Sequence, residues 1–170
     1  MEDSVMRLKT GAAIIGTLFI TISFFNCNAD NVKSSFPENC SQSGFEFRDS
    51  SIILNPGSKP GQSLYLLNNT SESDFWITHP VKDPGASAGW TSNLDPGNWS
   101  AFTANTPDFE LTCTKTGQGS LDNLPCRKVI QMCRISNPVF KPDMNGNYWV
   151  SEDKPLEAVL DEIRSRGISW

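Results

Sequence analysis

The chain has 170 residues, 38% of them hydrophobic, and 14 Lys and Arg against 19 Asp and Glu leave a formal net charge of -5. That length suits one domain with a substantial core. A mildly acidic chain with no basic run and no phosphate-loop motif lacks the electrostatic footprint of a nucleic-acid or anionic-lipid binder.

Met1–Lys9 is polar and carries Arg7 and Lys9, and Thr10–Phe25 is a charge-free, largely apolar run. The run is short for a ~30 Å hydrocarbon core but fits the h-region of a signal peptide. Asn26-Cys27-Asn28-Ala29 ends in a small residue, in the manner of an A-x-A cleavage site. Residues 1–29 are therefore expected to be a signal peptide cut before Asp30, leaving a periplasmic or secreted chain with no stable membrane anchor. Cysteine parity points the same way. Loss of Cys27 from five Cys leaves Cys40, Cys113, Cys126 and Cys133, an even set suited to two disulfides in an oxidising compartment. No C-x-x-C spacing and a single His argue against a bound metal, and no cofactor motif is present. Four Cys allow three connectivities. The expected one joins Cys113 to Cys126 across TKTGQGSLDNLP and Cys40 to Cys133.

Residues 30–44 are rich in Asn and Ser and read as an arm pinned through Cys40. Short apolar runs follow at Phe45–Phe47, Ile52–Leu54, Ser63–Leu67, Phe75–Thr78, Trp90–Leu94, Trp99–Ala104, Phe109–Thr114 and Val129–Ile135. Gly, Pro and Asn punctuate them, as at Asn55-Pro56-Gly57 and Asn68-Asn69. The pattern is that of a mainly β fold, an antiparallel β-sandwich or small barrel. Residues 30–135 form this expected disulfide-linked β domain, and 136–147, with two Pro and an Asn-Gly step, form a connector. Residues 148–170 supply a C-terminal strand and an amphipathic helix. Leu156, Val159, Leu160 and Ile163 mark one helical face, Pro155 suits the first turn, and Gly167 is a ready stop, which predicts a helix over 155–166.

Phe75–Ala104 concentrates the aromatic and turn signals. Asp95-Pro96-Gly97-Asn98 places Pro at i+1 and Gly at i+2, as a type II turn requires. A symmetric hairpin about that turn would pair Trp90–Leu94 with Trp99–Ala104 and set Trp90 and Trp99 on one face, as a core wall or an aromatic cleft. The small residues Gly85, Ser87 and Ala88 precede Trp90 and would let a partner backbone or a sugar approach closely. These residues, with Trp99 and His79, form the expected binding surface. Flat Trp faces suit sugar rings, so a peptidoglycan or glycan ligand is the alternative to a protein partner.

His79 could serve a hydrolase only with a partnered nucleophile, for which Ser87 and Ser92 are the nearby candidates, and no G-x-S-x-G element accompanies it. A hydrogen-bonded structural His is the stronger reading. N-x-[ST] triplets begin at Asn39, Asn68, Asn69 and Asn98, and matter only in a eukaryotic secretory host.

THPVKDPGASAGWTSNLDPGNWSAF, followed by FELTCTKTGQGS and PCRKVIQMC, resembles the enhanced-entry protein EnhB family of intracellular Gram-negative bacteria. The resemblance covers about 63–134. It implies a small exported protein without enzymatic activity, linked to host-cell entry, that acts by binding another cell-envelope protein encoded nearby. It carries over no catalytic residue.

Overall fold

The computed structural model describes residues 36–80, 91–117 and 120–170, all within one compact unit, Ser35–Trp170. The expected signal peptide and Cys27 lie outside the described residues. Among the described residues, eleven strands and two helices follow in chain order. They are β1 (Cys40–Ser41), β2 (Phe45–Arg48), β3 (Ser51–Leu54), β4 (Ser63–Asn69), β5 (Phe75–Thr78) and β6 (Thr91–Leu94). Next come β7 (Trp99–Ala104), β8 (Phe109–Gly117), β9 (Ser120–Leu124), α1 (Cys126–Val129), β10 (Ile130–Ile135), β11 (Tyr148–Lys154) and α2 (Leu156–Ser165).

Every strand pairing is antiparallel, and two sheets result. The first runs β1-β10-β4-β7-β11 and the second β2-β3-β8-β5-β6, with β9 paired to β8. Alternating side chains set the faces. Tyr65 and Leu67 of β4 and Phe102 and Ala104 of β7 meet Ile52, Leu54, Phe75, Ile77, Leu94 and Leu111 in the core between the sheets. The fold is thus the expected mainly β sandwich, not a closed barrel.

The opposite face of the first sheet is also buried. Leu64, Leu66, Trp99, Ala101 and Val150 pack against Val159, Leu160 and Ile163 of α2. The helix therefore adds a third layer, and β4 and β7 are buried along their whole length. The predicted helix agrees with α2 to within a residue at each end. Its C-terminus is a Schellman motif. Gly167 N–H donates to the Arg164 carbonyl and Ile168 N–H to the Ile163 carbonyl, with Gly167 at φ +85°. Residues 136–147 do more than connect: Val139 and Ser169 exchange backbone hydrogen bonds, and Phe140 and Met144 close the helix-side core.

The type II turn forms, but not the hairpin. Asn98 N–H donates to the Asp95 carbonyl at 3.1 Å, and Gly97 has φ +77°. Yet β6 pairs with β5 in the second sheet, whereas β7 pairs with β4 and β11 in the first. The turn carries the chain from one sheet to the other. Its geometry explains why, since types I and II splay flanking strands and tight hairpins favour types I′ and II′. The crossing is fastened by Asp153, which sits in an irregular part of β11 at φ +49°. Its Oδ1 accepts from Asp95 N–H at 2.7 Å and from Asn98 Nδ2 at 3.1 Å.

Cys40 is joined to Cys133 and Cys113 to Cys126, the pairing expected from the sequence. The first ties the N-terminal arm to β10, and the second ties α1 to β8. Asn68 and Asn69, which looked like turn residues and glycosylation acceptors, end β4 and are buried. Asn69 Nδ2 donates to the Ser73 and Leu94 carbonyls, and Asn68 Nδ2 to those of Gly97 and Asn98. Amides engaged this way serve the fold and offer no site for a glycan.

Trp99, 3% exposed and edge-on to Phe36 at 6.1 Å, is expected to be a stability residue. Trp99→Ala should cost about 3–5 kcal/mol in urea unfolding, the range for large aromatic truncations in cores. A loss below about 1 kcal/mol, the scale of ordinary point substitutions, would contradict this packing.

A charged cluster also docks α2 on β11. Glu162 accepts from Ser151 Oγ at 2.7 Å, from Lys154 Nζ and from Arg166 at 3.0 Å. These bonds, that from Lys154 foremost, lower its pKa from the usual 4.5 to about 2. A carboxylate with a depressed folded pKa stabilises above its unfolded pKa, and that stability is lost as pH falls toward the folded value. Lys154 and Arg166 are well exposed, so screening leaves a contribution of about 1–2 kcal/mol. Glu162→Gln should be less stable than wild type by that amount near neutrality, with the gap closing between about pH 4.5 and about 2. A gap independent of pH would refute the ionic origin.

Candidate binding surface

The residues expected to form the binding surface have different fates. Gly85, Ser87, Ala88 and Trp90 lie outside the described residues. Trp99 is buried beneath α2 and offers no face to a ligand, which corrects its expected role. The hairpin expected to carry it does not form, because β6 and β7 belong to different sheets.

His79, half-buried at the end of β5, stacks on Phe109 with ring centroids 4.1 Å apart. Its Nδ1 lies 2.7 Å from the Glu110 carbonyl oxygen, which can only accept, so Nδ1 carries the proton. This is the geometry of a structural His. Ser92, imagined as a nucleophile, is 2% exposed, and its Oγ donates to the Asn93 carbonyl.

Sheet position singles out another residue. In the second sheet Phe75 and Ile77 point into the core, so Trp76 and Thr78 project from the outer face. Trp76 is 37% exposed and lies opposite Asn93 of β6 and Thr114 of β8. Thr78, Thr91 and Thr112 extend the same face through the next register positions. Thr112 Oγ1 donates to the Thr78 carbonyl at 3.0 Å. Asn93 Oδ1 and Thr114 Oγ1 are buried and make no hydrogen bond among the described residues. The middle of the sheet thus presents one indole ring amid uncharged polar side chains.

The ring is well supported. β5 is hydrogen-bonded on both sides, by β6 and β8, and Phe75 and Ile77 on either side of Trp76 are anchored in the core. Such a ring brings contact area with little loss of freedom on binding. The sequence held a signal for it. Phe75-Trp76-Ile77-Thr78 is apolar at three successive positions, and alternation requires one aromatic or aliphatic residue to face outward. The Pro-Gly turn points to Trp90 and Trp99 instead.

No protein-family model, curated protein or solved structure matches the chain. Among the described residues, no helix is long and apolar enough to cross a membrane.

Proposed function

We propose that the chain is an exported, non-catalytic binding protein of the cell envelope that engages another envelope protein through the outer face of the second sheet, with Trp76 as anchor. The observation that carries this reading is the exposure of Trp76 on a strand clamped from both sides. Interface energy concentrates in aromatic residues held in place before binding, and uncharged surroundings cost less to desolvate than ionic ones. Two disulfides suit an oxidising compartment. The resemblance of 63–134 to the enhanced-entry protein EnhB family supports the accessory role and a link to host-cell entry. The binding role expected for Gly85, Ser87, Ala88 and Trp90 falls between β5 and β6, outside the described residues.

A peptidoglycan or other glycan ligand is the second reading, favoured by the exposed indole of Trp76 among uncharged polar side chains. A pyranose would stack on the indole face, with its hydroxyls turned to the polar rim around the ring.

Photo-crosslinking in the exporting cell tests both. A photoreactive residue at Thr91 is expected to give a discrete protein adduct that one at Glu157 on α2 does not give. Trp76→Ala should abolish the adduct while shifting Tm by less than about 3 °C, as a surface substitution does. An adduct with peptidoglycan alone would move the reading to the glycan. No adduct from Thr91, or one indifferent to Trp76→Ala, would overturn the surface.

A further inference from the structure

A second, chemically different site lies at the edge of the same sheet. An open cleft of about 570 Å³ is lined by Phe47, Arg48 and Asp49 of β2 and its turn, and by Pro125, Arg127 and Lys128 at α1. Three cations and one carboxylate in this wall invert the sign of a chain whose net charge is -5.

Covalent and non-covalent bonds hold these groups together. Cys126, between Pro125 and Arg127, is bound to Cys113 of β8, with both residues fully buried. Cys126 Sγ also sits 3.1 Å from the Ser50 carbonyl oxygen at the β2–β3 turn. A disulfide sulfur carries no proton, so this is a close S···O contact, not a hydrogen bond. Arg127 crosses to β2, where its guanidinium lies 5.9 Å from the Phe47 ring centroid and donates to the Phe47 carbonyl at 3.4 Å. That contact uses one of its five N–H donors. Arg48 is held on its own strand by Glu46 at 3.3 Å.

We infer that this cleft binds an acidic peptide segment, one carrying carboxylates beside an aliphatic side chain. Arg48, Arg127 and Lys128 are complementary to carboxylates. Asp49 repels a compact polyanion such as phosphate but can accept a peptide N–H. Phe47 and Pro125 supply an apolar wall for the aliphatic group. The volume falls in the range of sites that enclose small ligands, which suits a short segment. The cleft shares no residue with the Trp76 surface, so the two sites stand or fall separately.

Fluorescence anisotropy on the disulfide-intact protein tests the site. The probe is a labelled pentapeptide of four glutamates around a central valine, and its lysine counterpart is the control. The acidic peptide is expected to bind saturably at about 20 mM salt and to weaken about tenfold by about 150 mM, as exposed ionic contacts do. The lysine peptide should not bind. Arg127→Gln combined with Lys128→Gln should weaken the acidic peptide by about tenfold or more, since charge-assisted bonds are lost. Arg127 also braces Phe47, so Lys128→Glu alone keeps the test valid if the double variant unfolds, with a loss of about fivefold expected. Replacing the central valine by serine should weaken binding about threefold, through lost apolar burial. Trp76→Ala should leave the peptide affinity unchanged. Failure of the wild type to bind at low salt, or equal binding by the Lys128→Glu variant, would overturn the site. Displacement by equimolar inorganic phosphate, with no response to the valine change, would reduce it to a nonspecific anion site and overturn the peptide assignment.

Discussion

The pairing of β4 with β7, buried on both faces, is the constraint on which the rest of the structure depends. Antiparallel sheets commonly keep one face wet, and their strands then alternate polar with apolar residues. β4 does not: Leu64, Tyr65, Leu66 and Leu67 are consecutive and all fully buried. Tyr65 and Leu67 need the second sheet, and Leu64 and Leu66 need something on the other side. α2 supplies it, with Trp99 and Ala101 of β7 completing the contact. The C-terminal strand and helix are therefore as integral to the core as the first sheet strands. Glu162 and the Schellman motif at Gly167 fix where the helix ends and how it lies on β11.

Buried polar groups follow from the same arrangement. Asn68 and Asn69 at the end of β4 use their amides to hold the Asp95–Asn98 crossing and the chain around Ser73. Asp153 holds that crossing from the other side. A chain that changes sheets must leave one ladder before joining the next, and these side chains satisfy backbone groups released there. Asn68, Asn69 and Asp153 are thus part of the framework.

What could be read from the sequence was local. The i, i+3, i+4, i+7 pattern and Gly167 locate α2 because helix periodicity and C-capping are written in adjacent residues. Most strands are legible to within a few residues, since Gly and Pro mark their ends. Asp95-Pro96-Gly97-Asn98 was legible as a turn but not as a sheet crossing, because residue letters specify φ and leave the partner of each strand open. Trp99 belongs to the core and not to a binding surface for that reason, and Trp76, inside the Phe75–Thr78 run, is not singled out by the sequence. Whether a Trp faces a helix, a second sheet or solvent depends on layers assembled from distant parts of the chain. The cationic cleft was invisible for a similar cause: Arg48 and Arg127 are far apart in sequence, and the Cys113–Cys126 bond helps bring their elements together.

The layers also decide where recognition can occur. α2 occupies the outer face of the first sheet, whereas the outer face of the second carries Trp76. The central structural claim, that α2 is an obligatory third layer, is open to native-state hydrogen exchange under increasing denaturant. The amides of Leu64–Leu67, Ser100–Thr103 and Val159–Ile163 are expected to exchange through the same global opening, with one free energy and one denaturant slope. Exchange of Val159–Ile163 through a separate, low-energy opening, with β4 and β7 still protected, would show that the helix is dispensable to the core and contradict the claim.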